Sequence, residues 1–176
     1  NDPTLSASGA QSCASCHAVA TGHSAPNDLA AQFGGIDLKV QGLRNSQPVR
    51  YLATNTEFHF DDEGTPTGGF FWDGRADSLN AQTAGPLLGA RELANKDKAA
   101  VVQRIAASTW APDFKRLYGA EVFKDVDGAF DKLGLALKAF QSQGPEFNAF
   151  TSKYDEVLRG KATLSAQEAR GLEWFN

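Results

Sequence analysis

Five consecutive residues, Cys13-Ala14-Ser15-Cys16-His17, hold both cysteines and one of the three histidines of a 176-residue chain. Three chemistries use such a pair. A redox dithiol sits at a helix start after a strand, but the stretch before it, NDPTLSASGAQS, is turn-rich with no strand pattern. A structural zinc site wants four ligands with a second close pair. Only His23 and His59 remain, and their separation rules out such a pair. Attachment of a c-type haem needs only the pentad itself. Each thiol adds across a haem vinyl group, the two intervening residues set the sulfur spacing, and His17 reaches the iron. The pentad reads as a haem attachment site, with a fortuitous Cys-x-x-Cys-His as the alternative. Thioether bonds also account for two cysteines in a chain that needs no disulfide.

The second axial position of such an iron decides between catalysis and plain electron transfer. A peroxidase needs that position open or openable, with a base to move the peroxide proton. An electron-transfer cytochrome keeps both positions filled. The chain has no Met, so a closed site within it is His/His. His23 follows His17 by six residues, which span at most roughly 20–22 Å. Rounding the haem edge would nearly exhaust that reach. His59 has no such limit and is the candidate sixth ligand or distal base, with Glu57 as a candidate acid. The alternatives are a surface histidine and a solvated acidic loop through Glu57, Asp61, Asp62 and Glu63. Arg75 is a candidate for a haem propionate, or a partner for Asp77 on a helix surface. GTPTGG lacks the GK[ST] of a phosphate loop and reads as a turn.

The elements that must position these residues are mostly helical. Residues 18 to 69 are rich in Gly, Pro, Ser, Thr and Asn and read as long loops round a cofactor. Asp73 is placed to cap a helix over 74–84, stopped by Gly85-Pro86. A helix is predicted within 95–108, with Val101, Val102 and Ile105 on one face. Pro112 starts and Gly119 ends a short one. Phe130, Leu133, Leu137 and Phe140 repeat at helical spacing up to Gly144-Pro145. Phe147, Phe150, Tyr154 and Leu158 predict a further helix closed by Gly160. Ser165 and Glu168 form a capping box behind Leu164. Leu172, Trp174 and Phe175 crowd the end of that last helix, which must dock on this domain's own core or on further polypeptide.

Composition excludes several classes. The formal net charge is −4, and no basic run exceeds Lys115-Arg116, so nucleic acid and anionic membranes are poor partners. No apolar run approaches the roughly 20 residues of a membrane span. Without a secretory leader, the chain reads as mature, trimmed or cytosolic.

Five stretches, DPTLSASGAQSCASCH, GLRNSQPV, GGFFWDGRADSL, QTAGPLLGARELAN and SAQEARGLEWF, follow one another from the first residues to the last. In them the chain resembles the N-terminal haem domain of bacterial dihaem cytochrome c peroxidases and their MauG-like relatives. FFWDGRA with an upstream Cys-x-x-Cys-His and Arg-Asn is a specific combination. The resemblance implies a cytochrome-c-like haem domain over residues 1–163. Residues 164–176 would begin the helix that leads to a second haem domain. It implies a periplasmic protein that reduces hydrogen peroxide, or carries out related high-valent haem oxidation. Electrons would come from the second haem or from a small redox protein. Cys13, Cys16 and His17 match the haem-binding residues, and Asn45 a contributor to an interdomain calcium site. Phe71 matches an aromatic lining the distal side, Trp72 the tryptophan between the haems, and Gln82 a distal-pocket glutamine. Two departures stand out: Ala81 falls at the distal Glu, and Asp37 near the movable distal His. The rival functions are a six-coordinate electron-transfer cytochrome without peroxidase activity, and a haem domain kept for structure or docking.

Overall fold

The computed structural model describes residues 1–176. Its helices run α1 Leu79–Gln82, α2 Ala84–Leu88, α3 Lys98–Ala107, α4 Ala111–Tyr118, α5 Val126–Gln143, α6 Lys153–Leu158 and α7 Ala166–Phe175. Asp97 caps α3, accepting a hydrogen bond from the Ala100 amide at 2.7 Å. Asp125 caps α5 through the Gly128 amide at 3.0 Å. Pro112 lies in the first turn of α4, where its missing N–H costs no helix bond. The apolar faces of these helices meet in one core of Leu87, Leu93, Val101, Val102, Ile105, Phe114, Ala129, Phe130 and Leu133. Val101 and Ile105 are fully buried, each favouring the fold by about 1.5–3 kcal/mol relative to exposure.

The N-terminal segment is tied to this core, and so the attachment turn is too. The Trp110 indole donates to Asp2 at 2.8 Å. The buried Asn95 amide donates to the carbonyls of Leu5 and Leu87 at 2.8 and 2.9 Å. Residues 12 to 72 then run as loops and single 3-10 turns. Two short antiparallel ribbons interrupt them: β1 Phe33–Gly34 with β2 Val40–Gln41, and β3 His59–Phe60 with β4 Pro66–Thr67.

Two predicted helices are redrawn. The helix over 74–84 does not form. Gly74 has φ +67°, and Phe70 pairs with Ala76 across a tight loop. Ser78, not Asp73, caps the helix that follows. Pro86 does not stop it; it sits in the first turn of α2, where amide hydrogens have no helical partner anyway. The helix through Phe147 and Leu158 is broken. Phe147 ends a 3-10 turn, Phe150 has φ +44°, and α6 restarts with its own Ser152/Asp155 capping box.

Helix α7 carries the expected Ser165/Glu168 capping box. Lys153 above all, with the Ser165 amide and hydroxyl, holds the Glu168 carboxyl down to about 2. Trp174 and Phe175 are 91% and 88% exposed, so the helix end does not dock on the core. Tyr154, Leu164, Leu172 and Phe175 line an open groove of about 350 Å³ there. No helix is long and apolar enough to cross a membrane.

Candidate haem-binding site

The attachment pentad forms a single 3-10 turn, Cys13–Ser15. The amides of Cys16 and His17 both bond to the Cys13 carbonyl, at 3.1 and 2.9 Å, and the Ser15 hydroxyl accepts from the Ser12 amide at 3.0 Å. Buried Gln11 anchors the turn. Its side-chain amide donates to the Phe33 carbonyl at 3.0 Å and to Cys16 Sγ at 3.6 Å. Both cysteines are free thiols. Burial pushes the Cys16 thiol up, against a smaller opposing pull from Gln11. Burial also pushes the His17 imidazole down, so the ring is neutral at neutral pH. A neutral imidazole is the form that ligates a metal. Its Nδ1 is buried with no hydrogen-bond partner.

The residues present fit a haem by a second criterion. Of the fourteen buried hydrophobic residues, only Ala31 and Phe70 come from the first 72 positions. Those positions supply eleven of the nineteen large hydrophobic side chains that stay exposed, Phe33, Ile36 and Leu43 among them. Such a stretch has no protein core to bury its apolar surface, and a large flat apolar group beside the attachment turn would cover it.

Phe71 and Trp72 lie on the tight loop between Phe70 and Ala76. Phe71 has φ +70°, a left-handed conformation that costs a bulky side chain roughly 1–2 kcal/mol. The half-exposed Trp72 indole donates to the Asn45 carbonyl at 3.0 Å. Asp73 accepts from Arg44 and from Arg75, both at 2.8 Å. These two arginines, Arg44 first, hold its carboxyl at about 2. Arg75 therefore pairs with Asp73 rather than Asp77, and its guanidinium lies over the Phe71 ring. Asn45 leads directly to Ser46, whose carbonyl accepts from the Ser24 hydroxyl at 3.4 Å. Gln82, half-buried, closes α1, and Ala81 beside it is exposed.

The two remaining histidines differ in what their rings can do. His23 is buried, its ring tilted at 40° to Phe147 with centroids 4.5 Å apart, and its Nδ1 accepts from Arg50 Nε at 3.2 Å. Its lone pair is used. His59 is exposed on β3 with Nδ1 2.9 Å from the Glu57 carbonyl. That contact assigns the proton to Nδ1 and leaves the Nε2 lone pair free. Glu57 lines a cavity of about 220 Å³ with Asn55, Phe70, Ser78 and Lys138, none of them in the attachment turn. No group of three or more His, Cys, Asp or Glu side chains is arranged to hold a metal ion.

One carboxyl that the sequence does not single out bears on the attachment turn through its charge. Glu92 keeps part of its surface in solvent, yet burial of its carboxyl pushes it above the usual carboxylate range, and Arg75 pulls less strongly the other way. Its charge is felt at Cys16. The main chain of Glu92 fixes it there, its carbonyl accepting from the Gly35 amide at 2.9 Å. The sequence offers Glu57 as the acid in place of the one the resemblance loses at Ala81; Glu92, beyond α2, is a second carboxyl.

A free-thiol Cys-x-x-Cys-His turn, a half-buried neutral imidazole and a loop half without its own core define a mostly helical, cytochrome-c-like haem domain. The chain belongs to the di-haem cytochrome c peroxidase family, whose sequence profile matches residues 1–163. It is 39% identical over 178 residues to the methylamine utilization protein MauG of Paracoccus denitrificans, covering 99% of this chain and 46% of that protein. It is 28% identical over 177 residues to the cytochrome c551 peroxidase of Nitrosomonas europaea, covering 99% of this chain and 45% of that one. In three dimensions it matches the diheme peroxidase BthA of Burkholderia thailandensis with a TM-score of 0.85 and 33% identity. That match covers 97% of this chain and 42% of that one. The chain thus spans under half the length of these relatives.

Proposed function

We propose that this chain is the peroxide-facing haem domain of a periplasmic, dihaem peroxidase-like protein. The observation that carries the reading is the attachment turn: two free thiols and a half-buried, neutral imidazole whose Nδ1 is buried without a hydrogen-bond partner, all within five residues. Cys13 and Cys16 would hold the haem by thioether bonds, and His17 would present its imidazole to the iron. When bound, the haem supplies an iron centre that passes two electrons to hydrogen peroxide, which takes up two protons and leaves as two waters. Glu92 would move the proton between the two peroxide oxygens, with its raised carboxyl able to hold it. Phe71 and Gln82 would line the pocket and limit water. Trp72 would lie on the route of electrons from a second haem domain, itself supplied by a small redox protein. Residues 164–176 would lead to that second domain. Asn45 would contribute to calcium binding there, as its match to the family's interdomain site implies.

One observation favours a second reading, a six-coordinate electron-transfer cytochrome. The Glu57 carbonyl fixes the His59 tautomer and leaves Nε2 free to ligate. The ferric spectrum of the haem-loaded protein separates the two. A high-spin spectrum that changes on mixing with peroxide supports the peroxidase. A low-spin spectrum, unreactive to peroxide and turned high-spin by His59→Gly but not by His23→Gly, replaces it with electron transfer.

A further inference from the structure

The Phe71 ring is gripped between Arg75 and Gly85. The Arg75 guanidinium carbon lies 3.7 Å from the ring centroid, well inside the range of cation–π attraction. At the ring edge lies Gly85. A Cβ built there would stand 2.5 Å from Phe71 Cζ and 3.2 Å from Cε1. Gly85 is within α2, where glycine is a poor choice, and its φ is not positive. Backbone freedom therefore does not explain it; the close approach of the ring does. Arg75 is held in turn by Asp73, whose second oxygen takes Arg44. Phe71 itself has a left-handed backbone, which local preference does not maintain.

We propose that Gly85 and Arg75 are positioning residues that clamp the Phe71 ring, with Asp73 setting the guanidinium. Gly85 gives the ring a seat without a side chain, and Arg75 closes over its face. The clamp stands on these contacts alone. Its effect on the iron rests on the haem reading above, because it fixes how closely the ring stands over the pocket.

The test compares the haem-loaded protein with its Phe71→Leu, Gly85→Ala, Arg75→Met and Asp73→Asn variants by two readouts. In the first, proton NMR follows the Arg75 side chain. Its guanidinium carbon lies 3.7 Å from the ring centroid, so the side-chain protons nearest it should carry an upfield ring-current shift. Phe71→Leu should abolish that shift, and Gly85→Ala and Asp73→Asn should diminish it. Arg75 resonances that do not move in Phe71→Leu overturn the clamp. In the second, stopped-flow follows cyanide binding to the ferric haem. Phe71→Leu and Gly85→Ala should change the rate in the same direction, and the double variant should match Phe71→Leu alone, because Gly85 acts only through the ring. Additive effects overturn the proposal. Arg75→Met leaves α2 untouched and serves the same cycle if Gly85→Ala does not fold. A protein that carries no haem but keeps the ring-current result sinks the haem reading and leaves the clamp standing. Bound haem with no ring-current result does the reverse.

Discussion

Burial holds the Glu92 carboxyl above its usual value, while Arg75 pulls it down less strongly. A carboxyl so placed keeps its proton further into the pH range where a free glutamate has ionised, and so can deliver it to a leaving oxygen. Glu92→Gln should slow the first reaction with peroxide by about 10²–10⁴-fold, the usual worth of a positioned acid/base. An unchanged stopped-flow rate would assign the proton to another group. The same shift has a stability consequence. The folded pKa lies above the unfolded one, so the stability it contributes is present below the ordinary glutamate value. It is lost as pH rises through the raised folded value. Chemical denaturation across that window should show a fall in the parent that is absent in Glu92→Gln. The sequence points to Cys13, Cys16 and His17 because their chemistry is local to five residues. Glu92 stays hidden for the opposite reason. It lies beyond the end of α2, and only the fold brings its charge to bear on Cys16. His59 and Glu57 are conspicuous in sequence; the structure puts His59 on an exposed ribbon and Glu57 on a cavity lined also by Phe70.

At the scale of elements, α4 is legible from sequence because Pro112 marks its first turn and Gly119 its end, and α3 and α5 because each buries a face with a 3.6-residue repeat behind a capping aspartate. Ile105 is central to that face and fully buried. Ile105→Ala should destabilise the protein by about 2–5 kcal/mol. Urea unfolding checks this, and a loss under about 1 kcal/mol would place the core elsewhere. The segments that position Phe71 and Trp72 are not legible in this way. The loop from Phe70 to Ala76 depends on left-handed turns at Phe71 and Gly74 and on a single bridge, and periodicity carries no trace of either. The two ribbons are equally invisible, since strands of two residues are too short to alternate. At α1 and α2 the dipeptide Gly85-Pro86 reads as a stop. It proves compatible with a helix because the chain restarts at Thr83, which puts Pro86 in a first turn.

Across the whole molecule, a helical half supplies the core and a loop half supplies the attachment turn and an uncovered apolar surface. Such a division has a physical reason if a covalent cofactor serves as the missing core of the loop half. The chain also holds a single Cys-x-x-Cys-His. If electrons must arrive through a second haem, this chain alone, loaded with haem, should react with peroxide yet fail to sustain turnover with a reduced cytochrome. Steady-state oxidation of the cytochrome at a rate matching a complete dihaem enzyme would show that no second haem is needed. The most direct test of the account is whether the haem is joined to the polypeptide at Cys13 and Cys16. The protein is produced with c-type haem maturation, extracted in acid-acetone and weighed intact. The account predicts that haem absorbance stays with the polypeptide, whose mass exceeds that of the 18.8 kDa chain by one haem, and that the double variant Cys13→Ser/Cys16→Ser loses it. Haem recovered free in the organic layer, with a bare polypeptide of unmodified mass, would contradict it.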